Sequence, residues 1–135
     1  MRVLVACESS HEVSSAFRAR GHDAYSCDLL PADRVEDVPY HIQGDVLEVL
    51  SAREWDLVIA HPPCTYLCSS GLHWNKRRKA DGSLLFPDRD TKTNAAAEFF
   101  MSFTKLDCKW CIENPVGCMS KRFRKPDQYV QPHEY

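Results

Sequence analysis

The chain has 135 residues, enough for one domain and too few for a second of ordinary size. Hydrophobic residues at 44% and charged residues at 27% exclude a disordered chain. A net charge of −2 means that any nucleic-acid binding must come from local basic patches.

Arg2-Val3-Leu4-Val5-Ala6 is a short, continuous apolar run, the mark of a strand buried on both faces. It is too short for the apolar region of a signal peptide, and acidic Glu8 follows it. Ser9-Ser10-His11-Glu12 carries a helix-start signal, a serine ahead of an acidic first turn. Val13, Ala16 and Phe17 recur at helical spacing as far as Arg20, and Gly21 supplies the stop. Asp23 to Cys27 reads as a second strand ending on Asp28, which completes a right-handed βαβ unit.

Leu29 to Tyr40, with two prolines and several charges, reads as loop. His41-Ile42-Gln43 is expected as a third short strand ending at Gly44-Asp45, and Val46 to Arg53 as a helix. Trp55 to Ala60 reads as a central strand, stopped by His61-Pro62-Pro63-Cys64 because two prolines cannot continue a ladder. Residues 65–94 form a long polar stretch read as one functional loop. Ala95 to Thr104 is expected as a helix with Ala96, Phe99, Phe100 and Phe103 on one face. Lys109-Trp110-Cys111-Ile112 reads as another buried strand, ended by Glu113-Asn114-Pro115. Residues 118–135 are a basic, then polar, tail with no expected element.

This alternation predicts an α/β fold with a mainly parallel sheet and helices on both faces, in a single domain over residues 1–135. Ligands of such sheets sit outside the carboxyl ends of the strands. The loops there are Cys7-Glu8-Ser9, Asp28-Leu29, Asp45-Val46, His61 to Cys64 and Glu113-Asn114, and they hold nearly every chemically interesting residue. Cys64, stiffened by two prolines, is a candidate nucleophile once its thiol is ionised, against the plainer reading of a cysteine filling space. Glu113 is placed to bind or protonate a heterocycle nitrogen, although Asn-Pro also favours a simple turn. Asp28 and Asp45 can each accept hydrogen bonds from a nucleoside, or cap the element that follows.

Together these residues resemble the cytosine-5 DNA methyltransferase family. Asp28 matches the acid that binds the ribose of S-adenosylmethionine, and Asp45 matches the aspartate at its adenine. Pro62-Pro63-Cys64 matches the Pro-Cys nucleophile motif after the fourth strand, and Glu113-Asn114 the Glu-Asn-Val motif after the fifth. The resemblance covers about residues 2–115. It implies a Rossmann-like methyltransferase core, incomplete at the C-terminus, in a cytoplasmic protein that acts on DNA.

Under that resemblance Cys64, Glu113 and Asn114 are catalytic. Cys7, Glu8, Ser9, Asp28, Leu29, Asp45, Val46, His61 and Pro62 line the S-adenosylmethionine site. Lys76-Arg77-Arg78-Lys79, on the loop that closes over the duplex, contacts DNA phosphates, where its plainer reading is a solvated loop tip. Where family members carry Phe-x-Gly-x-Gly-Gly, this chain has Ala6-Cys7-Glu8-Ser9-Ser10-His11, without glycine. Arg122-Phe123-Arg124 spells the family's Arg-x-Arg motif but follows Glu113 closely. No target recognition domain is expected, so a partner protein or a second copy would supply that function.

Two alternatives stay open: a non-catalytic module that binds a nucleotide, nucleic acid or protein, and a cysteine-dependent enzyme acting on a free pyrimidine nucleotide. The seven cysteines do not resemble a secreted disulfide framework. Cys64 and Cys68, or Cys108 and Cys111, invite a zinc reading. The second pair straddles a strand at a spacing that points its members to opposite faces, and no metal is expected.

Overall fold

A computed structural model describes residues 1–131 and 133, and divides into two compact units. The first comprises residues 1–63 and 102–114, and the second residues 64–101 and 115–131 with 133.

The first unit is α/β. Five strands, β1 (Arg2–Ala6), β2 (Asp23–Asp28), β3 (His41–Gln43), β4 (Leu57–Ala60) and β5 (Lys109–Ile112), form one sheet in the order β3-β2-β1-β4-β5. Every neighbouring pair is parallel. β1 lies at the centre, and its Val3 to Ala6 are fully buried, as an apolar run without alternation requires. Val3 and Val5 pair with Ala24 and Ser26 on one side and with Leu57 and Ile59 on the other. Helix α1 (Glu12–Ala19) lays Val13 and Phe17 over Val3, Val5 and Ala24. Helix α2 (Val46–Ala52) runs beside β2 and buries Val46.

Several expectations shift. Trp55 is buried but precedes β4, its ring edge-on to Tyr25 at 6.3 Å between centroids. β5 is an edge strand of alternating exposure, with Lys109 and Cys111 exposed, and is not buried on both faces. The Leu29 to Tyr40 segment contains a 3-10 turn over Val35–Tyr40. No serine caps α1. Instead both carboxylate oxygens of Glu8 accept backbone N–H groups, from Val13 at 2.7 Å and Ser14 at 3.2 Å. A carboxylate suits the positive end of the helix dipole better than a hydroxyl. The stop is where glycine predicts it, since Gly21 takes a left-handed φ of 81° and its N–H bonds the Arg18 carbonyl.

The second unit corrects the reading of residues 65–94 as loop. It holds helix α3 (Ser69–Leu72), a 3-10 turn over His73–Lys76, an antiparallel bridge between Arg78 and Leu84, and helix α4 (Arg89–Ser102). α4 starts six residues before the apolar pattern because Asp88 opens it, accepting from the Lys92 N–H and pairing with its ammonium at 2.7 Å. Its buried stripe is Thr93, Ala97 and Phe100, and Phe103 lies beyond its end in a 3-10 turn. Asn75 is buried and ties the unit together, donating to Asp90 at 2.8 Å and Thr93 at 3.0 Å while accepting from Arg89 at 3.1 Å. The tail expected to lack an element contains helix α5 (Met119–Arg122), which buries Met119. Among the described residues no helix is long and apolar enough to cross a membrane.

Candidate functional site

The carboxyl edge of the sheet is built by backbone bonds that extend each parallel ladder one step into the following loop. The Cys7 N–H bonds the Cys27 carbonyl at 2.7 Å and the Gly44 N–H the Asp28 carbonyl at 2.9 Å. On the other side the His61 N–H bonds the Ala6 carbonyl at 2.9 Å and the Glu113 N–H the Ala60 carbonyl at 3.0 Å. Asp45, Asp28, Cys7, His61 and Glu113 therefore leave adjacent strands at one edge, in the order of the sheet. The chain direction across the sheet reverses between β1 and β4, the position where open parallel sheets bind ligands.

Both aspartates fill the plainer of the two roles read from the sequence, accepting a backbone N–H of the segment that follows. Asp45 caps α2, its Oδ1 accepting from Leu47 at 2.9 Å, and Asp28 Oδ1 accepts from Leu30 at 2.9 Å. Each engages one oxygen in this way, so the second oxygen is the one available to a nucleoside. Leu29 is exposed beside Asp28, whereas Val46 is buried beneath Asp45.

Asp28 and Asp45 also set the charge of the edge. Burial, then Asp28, Cys27 and Asp45, push the Cys7 thiol up to about 12. Burial and the same two carboxylates raise Cys27 to about 11. Both thiols stay protonated at neutral pH, so this edge offers acceptor carboxylates and no nucleophile of its own.

Cys7 has φ 62°, a left-handed conformation that favours glycine. The turn after β1 thus takes a glycine-like conformation at a cysteine. Glu8 is 6% exposed and committed to α1, and Ser9 accepts from the Asp33 N–H through its carbonyl at 3.0 Å. At the other side Pro62 is buried, and its carbonyl accepts from Asn114 Nδ2 at 2.9 Å. His61 Nδ1 lies 3.6 Å from Glu113 Oε2, and the buried Nε2 has no hydrogen-bond partner among the described residues. Glu113 is well exposed.

Cys64 is the first residue of the second unit and is half-buried. Its carbonyl accepts from Leu67 and Cys68, both at 2.9 Å, which closes one helical turn. Within that turn it is Cys68 whose thiol is pulled below the ordinary cysteine range, chiefly by its contact with the Ser70 hydroxyl at 3.2 Å.

Lys76-Arg77-Arg78-Lys79 is exposed along its whole length. It runs into a tight turn in which Lys79 N–H bonds the Ser83 carbonyl at 2.8 Å and Leu85 N–H the Arg77 carbonyl at 2.7 Å. The Arg77 guanidinium lies over the Trp74 ring at 5.0 Å, and Arg78 Nη1 donates to the Gly82 carbonyl at 2.7 Å.

A buried polar cluster escaped the sequence reading. His11, Ser14 and Ser26 are fully buried and join His41, while Asp37 binds Arg18 and Arg34 at 2.8 Å each. Only the presence of histidine and serine at apolar-pattern positions could have signalled it. A recess of about 380 Å³ lies at the opposite edge, lined by Met1, Arg2, Asp23, Glu54 and Asp56. Within it the Arg2 backbone N–H donates to Asp56 at 2.6 Å and the Arg2 guanidinium lies 4.0 Å from the Asp23 carboxylate. Among the described residues no group of three or more His, Cys, Asp or Glu side chains is arranged to hold a metal ion. Comparison with protein-family models, with curated proteins and with solved structures found no match.

Proposed function

We propose that the chain is a Rossmann-like methyltransferase that transfers a methyl group to carbon five of cytosine in DNA. The observation that carries this reading is the alignment of Asp45, Asp28, Cys7, His61 and Glu113 along one edge of a parallel sheet ordered β3-β2-β1-β4-β5. Two spaced carboxylates on one side of the reversal point suit a nucleoside cofactor, and a third carboxylate on the other side suits a base.

S-adenosylmethionine supplies the methyl group in this reading. Asp28 would hold the ribose hydroxyls and Asp45 the adenine amino group, each while one oxygen accepts from Leu30 or Leu47. The left-handed conformation at Cys7, one that favours glycine, supports this reading of the loop after β1. Cys64, as thiolate, adds to ring carbon six of a cytosine that has left the duplex stack. Glu113, in its protonated form, would donate to ring nitrogen three and accept from the exocyclic amino group. Addition of Cys64 at carbon six then leaves an enamine nucleophilic at carbon five. After methylation, loss of the carbon-five proton expels Cys64 and restores the aromatic ring. Asn114 fixes the β4 loop through the Pro62 carbonyl, and Lys76 to Lys79 contact phosphates.

Calorimetric titration with S-adenosylmethionine tests the cofactor step without requiring a target sequence. Micromolar binding that Asp28→Ala abolishes is the expected result. No binding would overturn the reading and leave a module of another kind. Labelled methyl recovered in the nucleotide pool, and not in DNA, would redirect the activity to a free pyrimidine nucleotide.

A further inference from the structure

We infer that Cys64 and Cys68 form a redox pair: peroxide oxidises Cys68, and Cys64 resolves it to an intramolecular disulfide. The two residues stand at the ends of a single turn, with Cys68 N–H bonded to the Cys64 carbonyl at 2.9 Å. One helical turn separates Cα atoms by about 6 Å, inside the range that a disulfide bridges. The Cys64 side chain is among the groups that lower the Cys68 thiol, after the Ser70 hydroxyl and the backbone.

The turn is held on both sides. Cys68 bridges Gly117, the Cys118 N–H bonds the Leu67 carbonyl at 2.9 Å, and the Ser69 N–H bonds the Val116 carbonyl at 2.9 Å. Leu67, between the two cysteines, is fully buried. Such anchoring holds the backbone of the turn that carries both cysteines, so little backbone movement is needed for bridging.

The chemistry of the two sulfurs differs in a useful way. Ser70 Oγ, 3.2 Å from Cys68 Sγ, favours the Cys68 thiolate, and neither sulfur is fully buried. By contrast Cys7, Cys27 and Cys108 are all held protonated, chiefly by burial. The Cys68 thiolate attacks one oxygen of hydrogen peroxide, the O–O bond breaks, and hydroxide leaves and takes up a proton to become water. The resulting sulfenic sulfur is attacked by Cys64, which releases its proton, and the sulfenic oxygen departs as a second water. Peroxide is reduced by two electrons and the two thiols are oxidised by two.

The pairing stands whether or not Cys64 is the methyl-transfer nucleophile. Where it is, the disulfide removes the attacking sulfur and a thiol reductant returns it.

The test uses the intact chain and hydrogen peroxide, followed by alkylation of remaining thiols and tryptic digestion. Cleavage after Arg53 and Lys76 isolates Cys64 and Cys68 in one peptide with no other cysteine. That peptide is expected to lose both alkyl tags and to be lighter by two hydrogens than the dithiol form, with dithiothreitol restoring it. In Cys68→Ser the same peptide should keep its single tag at peroxide levels that bridge the parent. A doubly alkylated peptide after peroxide would overturn the pairing. So would a cross-link from Cys68 to the peptide carrying Cys118. Disulfide formation does not depend on methyl transfer, so its failure is distinguishable from failure of the enzymatic reading.

Discussion

The Ser26 hydroxyl lies 2.7 Å from His41 Nδ1, and that contact orders the protons of a buried chain. His41 Nε2 is 2.8 Å from the Leu30 carbonyl, which can only accept, so the neutral ring carries its proton there. His41 Nδ1 then accepts from Ser26, and the Ser26 oxygen accepts from His11 Nε2 at 2.9 Å. His11 Nδ1 is left to accept from Ser14 at 3.3 Å. With neutral imidazoles every member of this chain finds a partner. The chain joins β2, α1 and the segment after Asp28, so it fixes the loop that carries one candidate cofactor ligand.

The stability of the fold should therefore fall in mild acid. Burial lowers the proton affinity of His11; Asp37 opposes this, His41 and Arg18 reinforce it, and Glu8 opposes it. Below the ordinary histidine value of about 6.5, the unfolded chain binds a proton that folded His11 does not, and stability drops with pH. The loss ends once pH passes the lowered folded value. We expect the urea midpoint to fall between about pH 7.5 and about pH 5.5, and His11→Asn to flatten the slope. If that variant does not fold, NMR titration of the parent decides instead. A His11 ring titrating at or above the ordinary value would refute the account.

Glu8 should prove structural. Glu8→Ala removes the acceptor of two helix N–H groups, and a lost cap costs about 1–2 kcal/mol. Chemical denaturation should show that loss, with Glu8→Gln recovering part of it. Unchanged stability combined with weaker S-adenosylmethionine binding would return Glu8 to the cofactor site.

The sheet and the edge that carries the candidate residues are legible in the sequence because both depend on local patterns. The apolar run of β1 marks an interior strand, and Pro62-Pro63 ends β4, whereas the shorter run of β5 forms an edge. The second unit was hidden because its order comes from polar side chains at long range. Asn75 meets Thr93, and Arg89 reaches the Gly71 carbonyl at 3.0 Å, so the stretch reads as loop when each residue is judged alone. The role of Glu8 was hidden for a related reason: a carboxylate five residues ahead of the N–H it caps lies outside the usual capping frame.

The proposed chemistry separates Cys64 from Glu113. Cys64→Ser should abolish methyl transfer and leave S-adenosylmethionine affinity intact, since Asp28 and Asp45 are untouched. Glu113→Gln should lower the transfer rate by roughly 10²- to 10⁴-fold, the usual worth of a proton-transfer group, with little effect on cofactor binding. Transfer that survives Cys64→Ser would end the nucleophile assignment. Equal losses of binding and rate in Glu113→Gln would end the base-holding role.

Gly117 should be the least replaceable position of the second unit. A Cβ there would overlap the Leu67 carbonyl oxygen and come within 2.8 Å of the Leu67 carbonyl carbon and Cys68 Cα, all backbone atoms. Nothing flexible can yield, so Gly117→Ala must push apart the bridge to Cys68 and the Cys118 to Leu67 hydrogen bond. Overpacking of this kind costs about 1–3 kcal/mol, which urea denaturation would read directly. The same displacement loosens the turn that holds Cys64 and Cys68 together. Gly117→Ala should therefore also slow formation of their disulfide at a fixed peroxide concentration. A variant that is destabilised yet bridges at the parent rate would show that the turn orders itself without Gly117.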